Sequence, residues 1–275
     1  MGLLTDWIVP DWPAPARVRA VCTTRLGGVS LAPFDSLNLG DHVRDDPAAV
    51  AANRQVLHAA IGARPVFLQQ VHGVDVAVLD GGTPNGTLAD ACVTEMQGVA
   101  CTIMVADCLP VLLTDRDGRR VAAAHAGWRG LAGEDGHGVL ESVFRSFWQY
   151  PGADRSQSAI EYKAAVFPSD TLVWLGPCIG PQAFEVSEEV RDAFCTTLAQ
   201  ASNCFVPLGG GKYLADLAGL ARQRLQALGV TAIYGNDSSA SWCTVSNASR
   251  FFSHRRDSAV LGGSGRFAAC IWLGD

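Results

Sequence analysis

The sequence predicts an α+β protein in which mixed β-sheets form a sandwich-like core flanked by helices, folded as a single compact domain over residues 1–275. Three observations point there. Apolar runs of strand length outnumber amphipathic helical segments. Helices fall among these runs without the regular alternation of a doubly wound fold. Hydrophobic residues make up 48% and charged ones 17%, which is enough apolar surface for a large core and too little charge for disorder.

Taken in order, RVRAVCTTR (17–25) reads as a strand. DPAAVAANRQVLHAAIG (46–62) reads as a helix with Asp46 as N-cap, Pro47 in the first turn and Gly62 as its stop. PVFLQQVH (65–72) and DVAVLD (75–80) follow as strands, then the long apolar runs VACTIMVA (99–106), PVLLTD (110–115) and RVAAAHA (120–126). A helix is expected at 138–149, and the polar, Pro/Gly-punctuated residues 150–170 read as a surface excursion. TLVWLG (171–176) is a strand, 187–200 a helix, and YLADLAGLARQRLQALG (213–229) a helix whose leucines and alanines share one face. RFFSHRR (250–256) and FAACIWL (267–273) complete the set as strands.

Charge and cysteine usage narrow the function. The net charge is -6 and no run of Lys or Arg exceeds two residues, so nucleic acid and anionic membranes are poor partners and a small-molecule substrate is favoured. Nine cysteines, an odd number with no C-x-x-C pair, argue against a disulfide framework, a zinc ribbon or a thioredoxin-type motif. Buried thiols in a reducing compartment predict a cytoplasmic protein. The first residues lack the basic region of a signal peptide, and no apolar run reaches the roughly 18 residues of a membrane span. A monomer or weak homo-oligomer is expected.

Two apolar runs break on residues that bind metals. VACTIMVADCLPVLL is interrupted by Asp107 and Cys108, and VAAAHAGWRG carries His125. A carboxylate and a thiol inside a buried strand are costly unless paired, hydrogen-bonded or bound to something. His72 ends a third run, PVFLQQVHG. Three protein ligands and one open position make the catalytic form of a zinc site. From the residues alone three readings stay open: a shared metal site, a Cys108 nucleophile with a histidine base, or two hydrogen-bonded core histidines beside an inert thiol. Both reactive readings need the thiolate.

Seven blocks in order, CTTRLGGVS (22–30), SLNLGDHVRDD (36–46), QQVHG (69–73), ADCLPVLL (106–113), HAGWRG (125–130), GPCIGPQAFEV (176–186) and SHRRD (253–257), resemble the signature of the YfiH/YlmD/LACC family. That family is described variously as laccase-like polyphenol oxidase, peptidoglycan editing factor, and zinc-dependent purine nucleoside phosphorylase with adenosine deaminase activity. The resemblance implies His72, Cys108 and His125 as metal ligands, zinc as the cofactor with copper as the alternative, and purine nucleosides and phosphate as small-molecule partners. Two departures stand out: a longer polar stretch around 131–170, and Arg44 where a glycine is more usual.

Phosphorolysis requires a phosphate held beside the ribose, which arginine suits. Arg25, in the TTRLGG turn, is the first expectation for that anion, with Arg129 and Arg256 behind it. Asp107 is expected as an acid/base or orienting catalytic residue beside Cys108. Asn38 and Glu185 are the remaining expected substrate contacts, although Asn before Leu-Gly is also ordinary turn chemistry. The alternative function is a Cys108-dependent hydrolase or editing factor acting on peptidoglycan precursors. Polyphenol oxidation ranks lowest, because six histidines cannot furnish several copper centres. The sequence also lacks a P-loop, a nucleophile elbow and the H-x-E with P-C-x-x-C pattern of cytidine deaminases.

Overall fold

A computed structural model describes residues 6–149 and 168–275. The first half of the chain runs β1 (Val18–Cys22), α1 (Pro47–Ile61), β2 (Arg64–Gln69), β3 (Val76–Val78), β4 (Thr87–Leu88), β5 (Ala91–Thr94), β6 (Val99–Val105), β7 (Leu109–Asp115) and β8 (Val121–Ala126). Then come α2 (Trp128–Ala132), α3 (Val139–Gln149), β9 (Thr171–Leu175), β10 (Glu185–Ser187) and α4 (Glu188–Cys195). The chain ends with β11 (Phe205–Gly209), β12 (Lys212–Ala215), α5 (Leu217–Ala227), β13 (Ala232–Gly235), α6 (His254–Leu261) and β14 (Phe267–Leu273).

Period-two alternation sorts these residues into layers. One sheet has the order β1-β14-β6-β2-β4 and a second the order β13-β9-β7-β8-β5-β3, both mixing parallel and antiparallel pairs. Phe267, Ala269 and Ile271 of β14 point between the two sheets, where they meet Leu112, Ala123 and Trp174. Ala268, Cys270 and Trp272, the intervening residues, point the other way and are covered by Leu57 and Ile61 of α1. On the far side, Val111 and Leu113 of β7 and Ala122 and Ala124 of β8 pack against Leu140, Val143 and Phe147 of α3 and Leu220 and Ala221 of α5. The result is helix on sheet on sheet on helix, the expected α+β sandwich. A small sheet, β10-β12-β11, stands beside the second helical layer.

The helix over 46–62 forms as read: Asp46 accepts from the Ala48 amide and Gly62 closes the helix in the left-handed conformation at φ 68°. Three expectations need correcting. RFFSHRR is not a strand: Phe251 and Phe252 are buried, but Ser253 then caps α6 by accepting from the Arg256 amide. That cap, with Asp257 returning a bond to the Ser253 amide, overrides a short aromatic run. The helix expected over 213–229 begins only after Asp216, which accepts from the Gly219 amide, because Tyr213 and Leu214 pair with β10 and β11. The helix expected at 187–200 likewise ends at Cys195, and a 3-10 turn follows over Ala199–Cys204. The surface excursion read at 150–170 lies outside the described residues as far as 167, and Pro168–Asp170 form a 3-10 turn.

Candidate metal centre

Three strand ends meet at one edge of the layer between the two large sheets. His72 lies just beyond β2, Cys108 in the sharp link from β6 to β7, and His125 in β8, in register with Pro110. His72 and Asp107, the residue before Cys108, use left-handed backbone, with φ 62° and 92°. Non-glycine residues there are strained and persist where surrounding bonds hold them. At His72 the holder is Asp90, immediately before β5 and fully buried. Its Oδ1 accepts from the His72 amide at 2.9 Å and its Oδ2 from the Val71 and Gly73 amides at 3.1 and 2.7 Å. Oδ1 also meets His125 Nδ1 at 2.8 Å, which leaves Nε2 of that ring for the centre of the cluster.

The donor atoms of His72, Cys108 and His125 lie within 4.8 Å of one another. Cys108 Sγ is 3.6 Å from His72 Nε2. Zinc–nitrogen bonds of about 2.0 Å and zinc–sulfur bonds of about 2.3 Å at tetrahedral angles place such a pair about 3.5 Å apart, so this nitrogen–sulfur pair fits zinc. Burial would push the Cys108 thiol up, but the His125 charge and hydrogen bonds from His125 and His72 bring it down to about 6. Burial would lower His125, yet the Cys108 thiolate and Asp90 raise it to about 9. Each partner thus favours the charged form of the other, which disposes the sulfur to ionise for metal binding.

The cluster opens onto a cavity of about 430 Å³. Met104, Trp128, Ile179, Phe184 and Leu217 supply its apolar wall, and Gln70, Arg129, Arg255 and Arg266 are among its polar groups. Asp107 reaches the cavity too, but both its carboxylate oxygens are engaged, Oδ1 by the Thr244 hydroxyl and Oδ2 by the Arg255 amide, each at 2.6 Å. It therefore holds the start of α6 against the cluster.

Arg25, Asn38 and Glu185 do not line this cavity. The Arg25 guanidinium donates to the Asp35 and Ala248 carbonyls, pairs with the Asp35 carboxylate at 3.1 Å and lies over the Phe252 ring. Asn38 is fully buried; its Oδ1 accepts from the Gly40 and Arg266 amides and its Nδ2 donates to Asp45 and the Gly40 carbonyl. Both serve the loop between β1 and α1. Glu185 pairs with Lys212 at the surface, at 3.4 Å, while its carbonyl accepts from Arg255. Arg256 is consumed by Asp257 and by the Thr244, Val245 and Phe251 carbonyls.

A family model described as multi-copper polyphenol oxidoreductase laccase matches residues 19–274. The chain belongs to this family. Within this laccase/YfiH family it is 53% identical over 274 residues, 99% of this chain and 100% of the relative, to a Pseudomonas aeruginosa protein named purine nucleoside phosphorylase. It is 48% identical over 272 residues to the Escherichia coli purine nucleoside phosphorylase YfiH, covering 98% of this chain and 100% of that one. Among solved family members, a Neisseria meningitidis protein superposes with a TM-score of 0.83 at 43% identity, covering 98% of this chain and 100% of that chain. YlmD from Geobacillus stearothermophilus follows at 0.79 and 32%, covering 94% and 93%.

In this family member Asp90 and Gly127 complete the site, and neither was singled out from the sequence. Asp90 interrupts the apolar stretch LADACV as Asp107 interrupts its own, so the same cost of a buried charge was there to be read. Gly127 is required by space: a Cβ there would stand 2.8 Å from His72 Cδ2 and 2.9 Å from Cys108 Sγ. Arg255 stood inside the SHRRD block, where Arg256 was preferred to it, and Arg266 carried no local signal, because only the tertiary fold brings them to the cluster.

Proposed function

We propose that this chain is a zinc-dependent purine nucleoside phosphorylase that also deaminates adenosine at the same site. The observation that carries the reading is the His72–Cys108–His125 cluster at the wall of a cavity with apolar and aromatic sides, large enough for a nucleoside. The relatives named purine nucleoside phosphorylase support the same reaction. A cation held there would supply Lewis-acid charge. The flat walls around Trp128 and Phe184 suit a purine face. In phosphorolysis a phosphate oxygen bonds to C1′ as the C1′–N9 bond breaks; the bonding pair leaves with the purine, and the proton carried by hydrogen phosphate completes the free base. Deamination exchanges the C6 amino group for the oxygen of water and releases ammonia.

Thiolate and imidazole donors also suit copper. The described residues contain one His/Cys cluster, so a reaction needing several copper centres is the weaker fit. Incubation of metal-replete protein with adenosine and phosphate is expected to yield adenine, ribose 1-phosphate and inosine. Failure to form any of them removes the reading. Elemental analysis is expected to find about one zinc per chain, lost in Cys108→Ala. The lowered Cys108 thiol favours one second reading, a thiol nucleophile acting on peptidoglycan precursors. That reading requires activity that survives chelation and is abolished by alkylation.

A further inference from the structure

The cavity beside the cluster carries more positive charge than its own groups satisfy. Arg266 enters from the loop before β14. Its Nη1 donates to the Ser264 and Gly265 carbonyls, while its Nε and Nη2 make no hydrogen bond among the described residues. Arg255, at the start of α6, donates to the Ala183 and Glu185 carbonyls. Arg129, in α2, lies over the Trp128 ring at 4.4 Å, and its guanidinium makes no hydrogen bond or ion pair among the described residues. Carbonyls orient a guanidinium without neutralising it. None of the three has a carboxylate partner among the described residues. The lining carboxylate, Asp107, has given its oxygens to Thr244 and the Arg255 amide. Arg266 is half-buried and lines the same cavity as His72, Cys108 and His125.

Three guanidinium groups lining one cavity, two held by carbonyls and one by an aromatic face, keep N–H groups unused and match the chemistry that binds a tetrahedral oxyanion through forked contacts. We propose that Arg129, Arg255 and Arg266 form the binding site for a phosphate dianion beside the His72–Cys108–His125 cluster, an inference that rests on the phosphorylase reading for its occupant. The phosphate is either free or the 5′-phosphate of a nucleotide, since the guanidinium groups meet the same oxygens in both. This site takes the place expected for Arg25, whose donors are spent on Asp35 and the Ala248 carbonyl.

The test is equilibrium dialysis of the zinc-loaded protein against radiolabelled inorganic phosphate and, separately, adenosine monophosphate. Parent, Arg129→Gln, Arg255→Gln and Arg266→Lys are compared, with Lys212→Gln as a charge control outside the cavity. Each glutamine variant is expected to weaken phosphate binding about tenfold or more, Arg266→Lys to lose part of the affinity because charge remains without the fork, and Lys212→Gln to stay within about twofold. Arg129→Gln removes an exposed group with no hydrogen bond, so its fold is not at stake. Phosphate that binds alongside a saturating C-nucleoside is the free co-substrate. Phosphate bound only as the monophosphate, and weakened by the same variants, is a nucleotide's. If neither compound binds the parent, or binding ignores all three arginines, the site is refuted. Steady-state kinetics separates this from the phosphorylase reading. Phosphorolysis with an unchanged phosphate KM in the variants sinks the arginine site alone. Arginine-dependent phosphate binding without phosphorolysis sinks the reaction alone. The expected pattern is a phosphate KM raised about tenfold with a nucleoside KM within about twofold.

Discussion

Replacing Asp90 by Asn tests whether one carboxylate organises the whole centre. Asp90 accepts four hydrogen bonds, two on each oxygen: His72 N and His125 Nδ1 on Oδ1, Val71 N and Gly73 N on Oδ2. An amide keeps one acceptor oxygen, so in either orientation its NH2 faces two donors. If the NH2 faces Val71 and Gly73, the turn that holds His72 in left-handed backbone opens. If it faces His125, that ring must accept at Nδ1 and carry its proton on Nε2, the atom the cation needs. Two lost bonds to a charged acceptor, at about 1.5–3 kcal/mol each, predict a loss of about 3–6 kcal/mol of folding stability. Disturbing a partner that orients metal ligands predicts about 10–100-fold weaker zinc binding. Urea unfolding of the metal-free protein measures the first, and zinc competition against a chromophoric chelator the second. Stability within about 1 kcal/mol of the parent, together with zinc affinity within about threefold, refutes the reasoning.

The same geometry makes three further predictions. Gly127→Ala drives a methyl group against His72 and Cys108; overpacking of about 1–3 kcal/mol should appear as reduced zinc retention, and zinc stoichiometry equal to the parent's contradicts it. In the metal-free protein, iodoacetamide should modify Cys108 with a midpoint near pH 6, and a midpoint near 9 contradicts the thiolate assignment. The stability linkage runs in opposite directions for the two partners. The depressed Cys108 contributes stability that is lost as pH falls through about 6, whereas the raised His125 contributes stability that is lost as pH rises through about 9. Between about 7 and 9 the two slopes oppose, so urea unfolding of the metal-free protein should show little pH dependence from this pair.

Periodicity, capping and the cost of buried charge are local properties, and they made much of this protein legible in its residues. The strands around 99–126 and 267–273, the helix capped by Asp46 and the three candidate metal donors could all be named because each residue's neighbours carry the signal. The same locality explains the errors at RFFSHRR, where a serine cap prevails over two aromatic residues, and at Tyr213–Ala215, where pairing with β10 and β11 claims residues that would extend α5. Which arginine faces the cavity was decided elsewhere. Arg25 and Arg266 are equally charged and each stands close to glycines in the chain, yet one spends its donors on Asp35 and Ala248 and the other keeps two nitrogens unbonded beside Cys108. Hydrogen-bond partners more than 200 residues apart, such as Arg25 with Ala248 and Arg266 with Asn38, exist only after the sheets have stacked, and they settle which charges are satisfied by protein and which remain for a ligand.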